Sequence, residues 1–514
     1  MAAVLCAGFL SAHPTALAES DRVTFNRDVA PIFFNHCVMC HRPNEVAPMS
    51  LLTYKEARPW AKSIAQQVVA ENMPPFSGES DNHQWSNDIS LSDEQKETIV
   101  KWVEQGAAQG APNDLPDAPT FTPGWTLGEP DYVITLDEIE VYADGEDLFP
   151  NMSSTIDIDE PRWIKAIEFK PGDRRVTHHF VSTYGRQSGI LAVWTAGMPP
   201  YVFPEGIGRV VNPGDRVTVN AHYHPFGEAT KDTTKIGLYF GEGELKKQVS
   251  TLIVANTGLR IPPGSPNHSE LAFHYFDQDT QILALSPHMH VRGRSMRYDI
   301  TYPDGTQENL LDVPKYDYNW QWLYYPTKPI DVPAGSRIDI TATWNNSSDN
   351  PSNPDPTQEI IYRGNTFNEM FVGFLEIIPA EGVAYEPVSP VDAITGLLQK
   401  HPTEDTFLVG GMIPFGIYAP REGEGWIYMS QGGASFTTTI DDFEWDGDRL
   451  AIRTSFPTPD ASATATIIEA ELNEQGELVG TLLYGADRER PLTIPVIGRH
   501  IEPIKTALST QTDD

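Results

Sequence analysis

Three observations predict a multidomain chain with a small all-α domain first, two β-sandwich domains next and an antiparallel β domain last. The chain has 514 residues, more than one hydrophobic core serves. Helical apolar spacing is confined to about the first fifth of the sequence. Beyond about residue 130, short β-branched or alternating segments between Pro-Gly and Asp-Gly turns take over.

The first residues, from Ala2 to Leu10, form a short apolar run that leads to Ala16-Leu17-Ala18 before Glu19. This reads as a signal peptide over 1–18, which puts the mature protein in the periplasm or outside the cell. No later segment has the length of apolar sequence that a membrane span needs. With 36 Lys plus Arg against 71 Asp plus Glu, the net charge is −35. Such a field repels nucleic acid and anionic lipid, and it suits a salt-rich habitat or a cationic partner.

The predicted all-α domain spans 20–115. Phe25 to Asn35, Tyr54 to Glu71 and Ser92 to Gln105 have helical spacing, and Ser92 with Gln95 forms a cap signature. Between the first two lies Cys37-Val38-Met39-Cys40-His41. This spacing lets two thiols join the vinyl groups of a haem while the next imidazole meets the iron. No second cysteine pair supports a zinc reading, since Cys6 falls in the signal segment. A thioether is the expected sixth ligand. Met73, in Asn72-Met73-Pro74-Pro75, is favoured because prolines force an extended loop there, and Met49 is the alternative.

A proline-rich stretch between Asp114 and Pro130 reads as a linker. The two predicted β-sandwich domains follow, over 125–247 and 248–385. Their strands carry His178-His179, His222-Tyr223-His224 and His288-Met289-His290. Side chains at i and i+2 share a strand face, so each His-x-His can offer two imidazoles to one ion; the adjacent pair needs a bulge to converge. Three such pairs within about 115 residues favour a metal over ordinary surface histidines. Imidazoles with the soft thioether of Met370 suit copper.

In order and rough spacing, His178-His179, Ala221-His222-Tyr223, His288-Met289-His290 and Asn368-Glu369-Met370 resemble the copper type II ascorbate-dependent monooxygenases, the family of peptidylglycine α-hydroxylating and dopamine β-monooxygenases. The resemblance covers about residues 125–380. It implies two jelly-roll copper domains, with His178, His179 and His222 holding an electron-relay copper and His288, His290 and Met370 an oxygen-activating one. It also implies hydroxylation of a C–H bond with O2. His224 has no counterpart in the family's motif and is expected to support the ligands. Where peptide-specific members carry a polar clamp, this chain has Ser286, Val372 and Phe374, so a smaller or more apolar organic substrate is expected. A fused haem, forming with its helices an all-α cytochrome c domain, would replace ascorbate as immediate donor and would itself be filled by an external donor.

The last predicted domain, 390–505, combines a helical piece from Val391 to Lys400 with strands such as Gly425 to Met429 and Leu450 to Ser455. It carries no clustered ligands, and disorder is expected over 506–514. The competing reading of the whole chain is a non-catalytic haem and copper electron-transfer or copper-binding protein.

Overall fold

A computed structural model describes residues 22–501, apart from 44, 122–123, 186–188, 386–390, 392–393, 396–404, 411–414, 420–424, 432–433, 458–462 and 487–489. The expected signal peptide over 1–18 and the expected disorder over 506–514 lie outside the described residues, as does most of the helical piece expected from Val391. The described chain forms two compact units. One takes residues 22–75 and 89–121; the other takes 76–88 and the residues from 124 onward.

The first unit holds the helices Ala30–His36, Tyr54–Ala57, Ala61–Val69 and Asp93–Glu104. Ser92 accepts from the Gln95 amide while the Gln95 side chain returns the bond, a capping box that fixes the start of the last helix. Trp102 crosses Phe33 edge to face at 6.4 Å, and both pack with Phe25 and Ile99 in the core.

The expectation of an all-α cytochrome c domain over 20–115 is corrected. Residues 76–88 leave the helical stretch and belong to the β unit, where Glu79 bridges Asp312 and Trp85 bridges Pro326. The cause is apolar: after Pro74 and Pro75 the chain cannot remain helical, and Phe76 and Trp85 bury their rings 5.1 and 5.6 Å from Tyr324. The helices that remain are short, and the molecule is mostly β. Pro59 divides the single helix expected over Tyr54 to Glu71, inserting the 3-10 turn Arg58–Trp60.

In the second unit, a six-stranded sheet that includes Arg162–Lys170 and Lys235–Phe240 faces a four-stranded sheet of order Asn151–Thr155, Arg216–Tyr223, Thr177–Tyr184, Gly189–Thr195. Phe169 of the first lies 5.8 Å from Phe180 of the second, nearly parallel. Further along the chain, His268–Tyr275, Arg337–Trp344, Gly293–Thr301 and Gln307–Val313 form another four-stranded sheet beside a twelve-stranded one.

Six strands need labels: β1 (Thr177–Tyr184), β2 (Arg216–Tyr223), β3 (Ser250–Asn256), β4 (Thr280–His288), β5 (Val372–Pro379) and β6 (Ala434–Trp445). In the twelve-stranded sheet β4 pairs with β5, β5 with β3, and β3 runs parallel to β6. From β6 the sheet continues through Trp426–Gln431, Phe415–Ala419, Asp405–Gly410, Leu492–His500, Leu478–Tyr484, Ala463–Leu472 and Arg449–Pro457, which pairs back onto β6. These eight strands close into a barrel around Phe407, Ile417, Ile427, Leu450, Ile452 and Ile468.

Among the described residues, the strands up to Lys247–Gln248 pair only among themselves, as do those from β3 onward, and the antiparallel strands expected over 390–505 form the barrel and share a sheet with β3, β4 and β5. One continuous sheet carries β4, β5 and the barrel strands, joined by the parallel β3–β6 pairing. Small side chains permit that close pairing: Ser435, Thr437 and Thr438 are fully buried, and a Cβ on Gly258 would sit 2.1 Å from the Thr438 hydroxyl. The border expected near residue 248 is crossed by a buried ion pair between Arg209 and Glu376, which Thr251 joins. Among the described residues no helix is long and apolar enough to cross a membrane.

Candidate metal centre

β1 and β2 pair antiparallel, with His179 opposite His222, and the register slips between Thr177 and His179. That slip is the irregularity two adjacent histidines need in order to point into one space. The donor nitrogens of His178, His179 and His222 all lie within 4.8 Å of one another. Nδ1 of His178 stands 3.0 Å from Nδ1 of His179, and Nε2 of His178 is buried without a hydrogen-bond partner. Metal–nitrogen bonds of about 2 Å separate neighbouring ligand nitrogens by about 3 Å, the separation of the His178 and His179 Nδ1 atoms, and a small inward turn of the rings would bring the whole donor set onto one ion. Burial pushes His178 down to about 3 and His179 well below the ordinary range, so both imidazoles are neutral and able to ligate.

Around the triad stand residues that the sequence reading did not single out. A two-way backbone bridge between Leu148 and Tyr223 carries Asp147 alongside β2. Its carboxylate lies 2.7 Å from His222 Nε2 with one oxygen and 2.7 Å from His224 Nδ1 with the other. Burial alone would raise the Asp147 carboxyl; the hydrogen bonds from the two histidines leave it below its usual range. Phe149 stacks on His222 at 4.5 Å. His224 is exposed and is not one of the convergent three.

His288 ends β4 opposite Val372 of β5, which begins two residues after Met370. Nδ1 of His288 is 2.6 Å from the Gln321 side-chain oxygen, and Nδ1 of His290 is 3.1 Å from the Asn368 carbonyl. Each ring then donates from Nδ1 and keeps a lone pair on Nε2, the arrangement of a ligand held by an outer acceptor. Burial lowers His288 to about 4 and His290 to about 3. Beside Met370, the fully buried Glu369 accepts from the backbone amides of His290 and Arg292, at 2.7 and 2.6 Å, and from the Trp344 indole at 3.2 Å. Burial raises Glu369 to about 7 against those three donors.

The two histidine groups adjoin. His179 meets His288 edge to face at 6.0 Å. Tyr318 stacks on His178 at 4.7 Å and lies 6.0 Å from His222 and 6.1 Å from His290. Its hydroxyl is 3.2 Å from His222 Nδ1 and 3.3 Å from the Thr366 hydroxyl, and burial keeps the phenol protonated. Of Asp147, Phe149, Gln321 and Tyr318, none singled out from sequence, Tyr318 left a trace in the aromatic density of Tyr316-Asp317-Tyr318-Asn319-Trp320.

In the first unit, Cys37 and Cys40 follow the helix Ala30–His36 and are not joined as a disulfide. Burial, then the neighbouring Cys40, pushes the Cys37 thiol up to about 12. His41 Nδ1 lies 3.2 Å from the Met49 carbonyl, so that Nδ1 donates and the lone pair stands on Nε2. Met73 is half-buried and tied through its amide to the Gln67 carbonyl; no hydrogen bond joins it to the motif.

No protein-family model matches the chain, and no curated protein does. Among solved structures it is similar to the major capsid protein P2 of bacteriophage PM2, at 7% identity, covering 49% of this chain and 98% of that one, with a TM-score of 0.23. A likeness that loose carries no argument about function.

Proposed function

We propose that the protein is a copper-dependent monooxygenase that hydroxylates a small or apolar organic substrate with O2, its electrons arriving through a covalently attached haem. The observation that carries the reading is the convergence of His178, His179 and His222, with an orphaned buried nitrogen, beside a second histidine pair. His178, His179 and His222 would hold one copper; His288, His290 and Met370 would hold the other. Cys37 and Cys40 would bind the haem covalently, and His41 with either Met73 or Met49 would hold its iron. Copper at these sites supplies one-electron redox chemistry and activates O2, and the haem supplies electrons from a tethered donor.

The chain's own residues orient and enclose. Gln321 and the Asn368 carbonyl fix the tautomers of His288 and His290, while Glu369 clamps the backbone between His290 and Arg292. Val193, Tyr201, Leu285, Ser286, Leu323, Phe374 and the buried Glu376 line a void of about 10 Å³, room for about one water. Ser286 precedes His288 by two residues on β4, and the Phe374 ring lies 6.2 Å from that of His288. The apolar Phe374 ring beside His288 supports a small or apolar substrate.

Metal analysis of the purified protein, followed by incubation with 18O2, a reductant and candidate apolar substrates, tests the reading. Two copper ions and one haem per chain, with label in a hydroxylated product, are expected. Protein that takes up no copper, or that consumes O2 without forming a labelled product, overturns it.

A further inference from the structure

We infer that Asp147 selects the nitrogen through which His222 binds metal, fixing it as Nδ1, and that His224 serves to hold Asp147. This rests on the copper reading of the triad. An ionised carboxylate accepts only, so the 2.7 Å contact with His222 Nε2 requires that nitrogen to carry the proton. A neutral imidazole protonated at Nε2 has its lone pair on Nδ1. Three further features hold the ring in that sense. Phe149 covers one face within 17° of parallel, the β1–β2 register sets the residue opposite His179, and the Leu148–Tyr223 bridge fixes the height of the carboxylate.

Nδ1 of His222 meets the Tyr318 hydroxyl at 3.2 Å, and that hydroxyl has the Thr366 oxygen as a second acceptor at 3.3 Å. A cation can therefore take Nδ1 while the phenol turns to Thr366, leaving no buried donor unpaired. The other oxygen of Asp147 is engaged by His224, whose side chain is 66% exposed, so His224 braces the carboxylate from the solvent side. Asp147 is thus a positioning residue. Its negative charge strengthens the imidazole as a donor, and outer partners of this kind change metal affinity by about 10–100-fold.

The test uses the full-length protein, Cu2+ titration against a competing chelator, and pulsed EPR of the remote ring nitrogens, with circular dichroism to confirm folding. Asp147→Ala is expected to weaken triad copper by about 10–100-fold and to shift the quadrupole coupling of the remote His222 nitrogen. Asp147→Asn, which keeps an acceptor and the side-chain shape, is expected to lose less, and it carries the test should the alanine variant not fold. His224→Ala, which removes an exposed partner, is expected to cost no more than about fivefold. Unchanged affinity and unchanged nitrogen couplings in both Asp147 variants would overturn the assignment while leaving the copper reading intact. Wild-type protein that binds no copper at the triad would overturn both.

Discussion

The two histidine groups are built on opposite principles although they touch. In the triad, three imidazoles from one strand pair converge on one space and the outer partner is an anion, Asp147. At His288 and His290 the outer partners are neutral, a Gln321 amide and an Asn368 carbonyl, and the anion, Glu369, grips the backbone instead. A carboxylate on the ring makes a stronger donor; a carboxylate on the amides makes a stiffer loop. On the copper reading, the triad would suit tight coordination, and the second group would give its ion a rigid frame.

The largest expected effects separate the groups by ligand. His222→Ala should remove the triad copper and leave the other, so that copper falls from two to one per chain by metal analysis. Met370→Leu should abolish hydroxylation while the haem spectrum stays unchanged. Loss of both ions in either variant would show that the groups behave as one site and erase the distinction.

Next in size is the backbone clamp. Glu369→Ala leaves the His290 and Arg292 amides and the Trp344 indole buried without an acceptor, and it also removes one of the acidic groups, beside Asp355, that balance the buried Arg292. A loss of about 3–5 kcal/mol in denaturant unfolding is expected. Asp147→Ala strips a partly exposed carboxylate and should cost stability much less, even as it costs copper affinity more. Equal stability losses would contradict the division between ring anchor and backbone anchor.

The histidine pairs were legible because i and i+2 spacing on a strand is a local property, and the need for a bulge at His178-His179 followed from the same geometry. Asp147 was not legible. It lies 75 residues from His222 in a chain with 71 acidic residues, and nothing local marks the one that reaches a ring. The same limit governs the fold. Alternating segments announced strands, but the parallel pairing of Ser250–Asn256 with Ala434–Trp445 and the barrel pairing of Asp405–Gly410 with Leu492–His500 depend on partners far away in sequence. The helical expectation failed at 76–88 for a related reason: Phe76 and Trp85 find their partner, Tyr324, well over 200 residues later.

Acid should erase the contrast. The folded-state values of His178, His288 and His290 lie at about 3, 4 and 3, below the ordinary 6.5. Between those limits the unfolded chain binds more protons than the folded one. Stability from these residues is therefore complete above about pH 6.5 and is lost as pH falls through about 4 to 3. Metal-free protein should melt at progressively lower temperature over that window, and both coppers should leave together because protons compete for both donor sets. Release of the Met370-side copper alone would restore the distinction in a new form.

The smallest effect is expected at the residue the two groups share. Tyr318→Phe keeps the ring on His178 and removes only the hydroxyl that reaches His222 Nδ1 and Thr366. In metal-free protein this should cost about 0.5–1.5 kcal/mol, one hydrogen bond's worth, by denaturant unfolding. In copper-loaded protein the cost should shrink, because the metal already holds His222 Nδ1 and the hydroxyl keeps only its weaker partner. Copper affinity should then rise slightly in the variant, since the ion no longer displaces a donor. A fall in affinity would mean that the phenol supports the bound ion directly, and Tyr318 would then belong to the triad and not to the boundary between the groups.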